Sequence, residues 1–292
     1  MNRHHQPLVL AAVAVGVIGL GSLGWLARDS STQLAGAGGR RSLLDLLDEV
    51  RQSPSQPPPA PDPAPSPAPP PHPVWSSPLR SGCRSSDPQR RQQLLALASR
   101  LRTAPERIRI DPTNYGQRHN RDAFGNPLDP TPRVVVLHET VFSMESAINT
   151  FRTPHPRDED QVSYHAMIGL DGRVVKLVDP SQRAYGAGNS AFRGEWAITN
   201  AKVRGSVNNF ALHVSLETPA DGEHTGLEHS GYTPAQYDAL AALLAMWMER
   251  FPITPDQVTT HRAVDLWGER ADPRSFDWEA LRVRLEMLGL IC

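Results

Sequence analysis

Arg133-Val134-Val135-Val136-Leu137-His138-Glu139-Thr140 is the stretch on which the fold turns. Its near-continuous apolar run is the mark of a strand covered on both faces, and therefore of a mixed α/β domain. His138 closes the run. Two later segments carry residues of the same chemistry: Thr260-His261-Arg262, and Asp272-Pro273-Arg274-Ser275-Phe276-Asp277-Trp278, a short loop ended by an aromatic anchor. Together His138, His261 and Asp272 read as two neutral imidazoles and one carboxylate converging on a zinc ion, with a fourth position open.

Working outward, Ser143 is placed to cap a helix whose Met144, Ala147, Ile148 and Phe151 share one face. Strands are expected over 162–169 and 172–178 around Leu170-Asp171-Gly172, where Asp-Gly supplies the positive φ of a tight hairpin. Another strand spans 210–217. Thr233-Pro234-Ala235-Gln236 combines a capping box with proline at the first helical position, and Tyr237, Leu240, Ala241, Leu244, Trp247, Met248 and Phe251 follow at the spacing of one buried face. A short strand near 258–261 and a helix over 278–288 end the domain. Upstream, Asp87-Pro88 starts a helix with an apolar stripe of Leu94, Leu95, Ala98 and Leu101, and 111–131 reads as loop.

The N-terminal part has a different character. Residues 8–27 carry no charge and are long enough to cross a bilayer, with Arg3 before and Arg28 after. An uncleaved anchor suits that length better than a cleaved signal peptide, whose apolar region runs to about 7–15 residues. Thirteen of the 28 prolines fall between Pro54 and Pro78, so this stretch is expected to be extended polyproline II, unable to build a core. As a free spacer of about 25 residues it would reach ~75–80 Å from a membrane. Residues 41–50 form either a short amphipathic helix or none. The expected divisions are a membrane segment over 1–31, a linker over 32–80, a helix-and-loop extension over 81–132 and a catalytic domain over 133–292.

Cys83 and Cys292 are the two cysteines. Export would place them where a disulfide persists, and two free thiols are the alternative. A net charge of −1 with no basic patch interleaved with aromatics excludes nucleic acid as a natural partner. The Tyr185-Gly186-Ala187-Gly188-Asn189-Ser190 run lacks the lysine and helix start of a phosphate loop. His224 and His229 lie in a polar loop and are expected to be exposed.

Taken in order, Val135-Val136-Leu137-His138, Val162-Ser163-Tyr164-His165, Asn209-Phe210-Ala211-Leu212-His213-Val214-Ser215-Leu216-Glu217, Thr260-His261-Arg262 and Asp272-Pro273 with Phe276-Asp277-Trp278 resemble a known family. It is that of the zinc-dependent N-acetylmuramoyl-L-alanine amidases, the type that includes phage lysozyme-like amidases and animal peptidoglycan recognition proteins. The resemblance covers residues 133–288. It implies a single mixed β-sheet flanked by helices, a groove over one sheet edge with zinc at its floor, and ligands at His138, His261 and Asp272. The implied reaction is hydrolysis of the amide between N-acetylmuramic acid and the first L-alanine of the peptide stem, in peptidoglycan outside the cytoplasm.

The same resemblance puts Tyr164 near zinc as an oxyanion donor, and Arg270 where some relatives have a lysine. Asn189 falls beside the groove as a substrate contact, and His213 is read as a second. Many relatives carry a glutamate base at the position of Ser215, which cannot accept a proton at neutral pH. Glu217, Glu139 and His213 are the candidates left for proton transfer, and the Ser215 face makes His213 the first to test. A peptidoglycan-binding module of the same fold with little turnover is the alternative function; a zinc amidase acting on another wall-like amide is not separable by sequence.

Overall fold

The computed structural model describes residues 64–79 and 87–291. The uncharged stretch at 8–27, the helix considered at 41–50, Cys83 and Cys292 lie outside these residues. Among the described residues no helix is long and apolar enough to cross a membrane.

Six strands form one mixed sheet in the order β1-β5-β4-β7-β3-β8: β1 Glu106–Arg107, β3 Val134–Glu139, β4 Ala166–Ile168, β5 Val174–Lys176, β7 Ala211–Leu216 and β8 Val258–Thr260. Only β4 and β5 pair antiparallel, through the hairpin in which Gly172 has φ of +82°. The other pairings are parallel, with β3 between β7 and β8 and every β3 residue buried, as its unbroken apolar run requires. β2 (Tyr115–Gln117) and β6 (Gln182–Ala184) form a separate two-stranded ladder, so the segment read as loop contains a strand.

Period-two alternation divides the sheet's faces. Val135 and Leu137 of β3, with Leu212, Val214 and Leu216 of β7, pack into one large core under three helices: α1 Pro88–Thr103, α3 Pro234–Arg250 and α5 Trp278–Met287. Each helix starts where its cap signal stands. Asp87 accepts from Arg90 N–H, Thr233 and Gln236 close a capping box, and Asp277 accepts from the amides of Glu279 and Ala280. Leu94, Ala98 and Leu101 of α1 belong to this core and β1 extends the sheet, so α1 and β1 are part of the domain's framework.

The opposite face carries two smaller apolar clusters. One packs Met167 and Val175 under α2 (Met144–Arg152) through Met144, Ile148 and Phe151; the other joins Val134 and Val136 to Phe192, Val207 and Phe210. By alternation and register, His138, His213 and Ser215 share this face, with His138 beside Ser215 across the β3–β7 pair.

The proline-rich stretch departs from the expectation of a free spacer over its described part. Proline has no backbone N–H, but its carbonyls stay available as acceptors. Asn126 donates to Ala64 O at 2.8 Å and the Trp196 indole donates to Pro67 O at 2.8 Å. Trp75 donates to Asp256 O at 3.1 Å and lies 5.8 Å from the Trp278 ring, and Leu79 is buried in the main core. Residues 64–79 therefore form an arm laid on the domain. Because Trp75 is half-buried, Trp75→Ala should cost about 2 kcal/mol in urea unfolding of the full chain, below the ~3–5 of a fully buried tryptophan. A change under about 0.5 kcal/mol would show that the arm is not bound.

Candidate metal centre

His138 is the penultimate residue of β3, His261 opens the four-residue helix α4 (His261–Val264) directly after β8, and Asp272 lies in the loop that follows. Thr260 caps α4 by accepting from Ala263 N–H, and Arg262 N–H donates to Asp272 O at 3.0 Å, which ties the loop back beside the helix. The three side chains meet. Their ligand atoms all lie within 4.8 Å of one another. Asp272 Oδ2 is 3.2 Å from His138 Nδ1, and Asp272 Oδ1 is 3.0 Å from His261 Nδ1. A tetrahedral zinc ion with donors at about 2.0–2.1 Å spaces adjacent donors by about 3.3 Å. The donor set and its spacing fit zinc.

Electrostatics prepare the site for a cation. Burial alone would raise the Asp272 carboxyl, but hydrogen bonds from His138 and His261 hold it well below the usual carboxylate range. Burial pushes His138 down to about 4, against the opposing pull of Asp272, so its imidazole is neutral at physiological pH. A neutral His138 imidazole beside an ionised carboxylate is a pair of protonation states that metal binding requires.

His213 explains how His138 is aimed. It is fully buried, and its Nδ1 lies 3.0 Å from His138 Nε2, leaving His138 Nδ1 for the ligand position. The sequence reading of His213 as a substrate contact is corrected here: no substrate reaches a side chain with no exposed surface. Nor is it a shuttle near neutrality, because burial and the neighbouring His138 and His165 hold its pKa well below the ordinary value. Gly186 is the feature that makes room for it. A Cβ there would fall 2.4 Å from the His213 ring, which gives the glycine run a packing reason.

Tyr164 stacks on His138 with ring centroids 4.6 Å apart, and Phe151 meets its ring edge-on at 5.4 Å. Burial, with the Asp272 carboxylate nearby, raises its pKa, so the phenol remains a hydrogen-bond donor. Arg270 is exposed, and its charge bears on both His138 and Tyr164. Ser215 is buried, and its Oγ has no hydrogen-bond partner among the described residues.

The carboxylates proposed for proton transfer are placed elsewhere. Glu217 accepts from Met144 N–H and Leu170 N–H, both at 2.9 Å, so its two oxygens secure the start of α2 and the hairpin rather than reaching the ligands. Glu139 is buried and accepts from Arg274, Tyr232 and His229. His229 thus has a buried ring, not the exposed one expected, whereas His224 is exposed. Asn189 is 7% exposed, and neither side-chain amide atom is hydrogen-bonded among the described residues; its backbone carbonyl accepts from Leu266 N–H just past α4.

A family model for N-acetylmuramoyl-L-alanine amidase matches residues 126–275, just over half of the chain. The chain belongs to this family. The 1,6-anhydro-N-acetylmuramyl-L-alanine amidase AmpD of Citrobacter freundii is 33% identical over 124 residues, covering 42% of this chain and 56% of the relative. The enzyme of that name from Haemophilus influenzae is 29% identical over 175 residues, 59% of this chain and 75% of its own. The chain spans little more than half the length of most curated relatives it matches. A crystal structure of a selenomethionine AmpD derivative aligns over 61% of this chain and 93% of that one, with 24% identity and a TM-score of 0.44.

Two outcomes follow from the buried histidines. His213→Ala should weaken zinc affinity about 10–100-fold in a competition titration, as loss of a partner behind a ligand does; unchanged affinity would remove His213 from that role. In the metal-free protein His138, His165 (held to about 3) and His213 stay neutral while folded, and unfolding lets them bind protons below about pH 6.5. Stability should be full above about pH 6.5 and fall toward pH 4, with a slope of up to about 4 kcal/mol per pH unit when all three contribute. Urea unfolding in chelator between pH 7.5 and 4.5 measures this, and a flat profile would contradict it.

Proposed function

We propose that this domain is a zinc-dependent hydrolase of the amide between N-acetylmuramic acid and L-alanine, the linkage named for its AmpD relatives. The convergence of His138, His261 and Asp272 on one point carries the reading. A complete donor set favours turnover over a module that only binds. Zinc, when bound, supplies Lewis acidity toward a water molecule and the scissile carbonyl.

The chain's own groups do the rest. His138 and His261 through Nδ1, and Asp272 through its carboxylate, would hold the ion, while His213 fixes the His138 ring. Tyr164 keeps its proton and is stacked on a ligand, so it serves as a donor to the negative charge that develops on the carbonyl oxygen. Arg270 adds a permanent positive charge at the exposed side of the site. Asn189, whose two side-chain amide atoms are both buried, is not assigned a substrate contact, for the same reason that removes His213. Because Glu139 and Glu217 are both occupied by structural hydrogen bonds, neither is assigned a proton-transfer step.

The substrate would be peptidoglycan or its soluble fragments. Residues 8–27 support an exported chain held at the membrane, with the domain on the wall side.

Digestion of purified sacculi and of soluble muropeptides, analysed by mass spectrometry, tests this reading. Stem peptides beginning with L-alanine should appear, and His138→Ala or Asp272→Ala should abolish them. Tyr164→Phe should lower kcat about 10²–10³-fold. Sacculus binding without cleavage, or full activity in a metal-free preparation, would overturn the assignment.

A further inference from the structure

We propose that a second cleft, remote from the metal ligands, binds an amphiphilic phosphate: an anionic head carried on an apolar body. The cleft opens between the C-terminal ends of α1 and α3 and the end of β5, with a volume of about 410 Å³, in the range of small-molecule sites. None of His138, His261, Asp272 or Tyr164 lines it.

Its composition is two-sided. Met246, half-buried, with the small exposed parts of Val178 and Trp247, gives an apolar wall, whereas Arg107, Lys176 and Arg250 bring three cations to the same space. Their charge is poorly compensated. Glu249 is taken by Arg102 at 2.9 Å, and Asp179 meets Arg107 only at 4.0 Å. Lys176 and Arg250 form no ion pair among the described residues. Lys176 Nζ instead donates to Leu101 O at 2.7 Å, and the Arg250 guanidinium lies 5.0 Å over the Phe251 ring.

Burial and then the charge of Arg107 lower the Lys176 pKa, with Asp179 opposing and Arg250 adding to the shift, so one carboxylate faces the three cations. His165, at the inner end, adds no charge: its Nδ1 accepts from His213 N–H, which leaves Nε2–H to face Gln182 O at 3.2 Å. Three cations around one cleft, two of them exposed, are matched by a polyanion, and phosphate presents several charged oxygens to such a group where a carboxylate presents two. The adjoining hydrophobic wall is satisfied by an apolar body and not by a bare ion.

The test is isothermal titration calorimetry of the full-length, metal-loaded protein with hexyl phosphate, inorganic phosphate and 1-hexanol. Hexyl phosphate should bind at least 10-fold more tightly than inorganic phosphate, and 1-hexanol should not bind measurably. The double variant Arg107→Gln/Arg250→Gln changes two exposed side chains, and its unaltered circular dichroism would confirm folding; it should bind hexyl phosphate at least 10-fold more weakly. Equal affinity for inorganic and hexyl phosphate, or unchanged affinity in the double variant as for an anion held at the metal centre, would overturn the proposal. Co-sedimentation with phosphatidic acid vesicles, competed by hexyl phosphate, would assign the ligand to a lipid headgroup, and hexyl phosphate binding without co-sedimentation would assign it to a soluble molecule.

Discussion

A buried ion pair between Glu139 and Arg274 holds the candidate metal centre together. Glu139 follows His138 at the end of β3, and Arg274 lies two residues beyond Asp272, so the pair fixes against each other two ligands that are 134 positions apart in sequence. A charge pair taken out of water is tolerated only when its remaining hydrogen-bonding capacity is filled. Here it is filled. Glu139 also accepts from Arg274 N–H at 3.0 Å and from the Tyr232 hydroxyl at 2.5 Å, with the His229 ring 3.1 Å away. The other guanidinium N–H groups donate to the carbonyls of Gly222, His224 and Gly226. One guanidinium thus braces the ligand loop and a neighbouring surface loop. Removing one partner of such a pair typically costs ~3–5 kcal/mol, because the other is left charged and buried.

Around this brace the sheet separates two kinds of work. One face is apolar and packed under three helices. The other sets His138, His213 and Ser215 between two small apolar clusters. The rigid helix-covered face allows the other to hold polar atoms with little freedom, and the buried Ser215 Oγ and His213 Nε2, both without partners, record what that costs.

Much of this was legible in the sequence, for identifiable reasons. The β3 run, the caps at Asp87, Ser143 and Thr233 and the Asp-Gly hairpin are local signals, and local signals survive folding. The meeting of His138, His261 and Asp272 was legible because each follows or closes a recognisable segment. Glu217 was misplaced because period-two alternation gives a face only while the strand lasts; beyond Leu216 the chain turns, and the side chain goes to amides of α2 and the hairpin. The loop around His229 defeated the reading for a related reason. Its polarity suggests exposure, yet its fate is set by Arg274 and Glu139, distant residues that no local pattern connects to it. β1, only two residues long, offers no periodicity at all.

The arm at residues 64–79 bears on how this domain would respond to mechanical load. With its carbonyls held at Pro67 and Ala64 and its indole set beside Trp278, the arm takes up roughly 45 Å of contour that composition alone assigned to reach. A pull arriving from the N-terminal side would meet these side-chain contacts one after another before it met the hydrogen-bonded sheet. The arm would then act as a sacrificial tether, peeling away under tension and lengthening the connection while the metal centre stays intact.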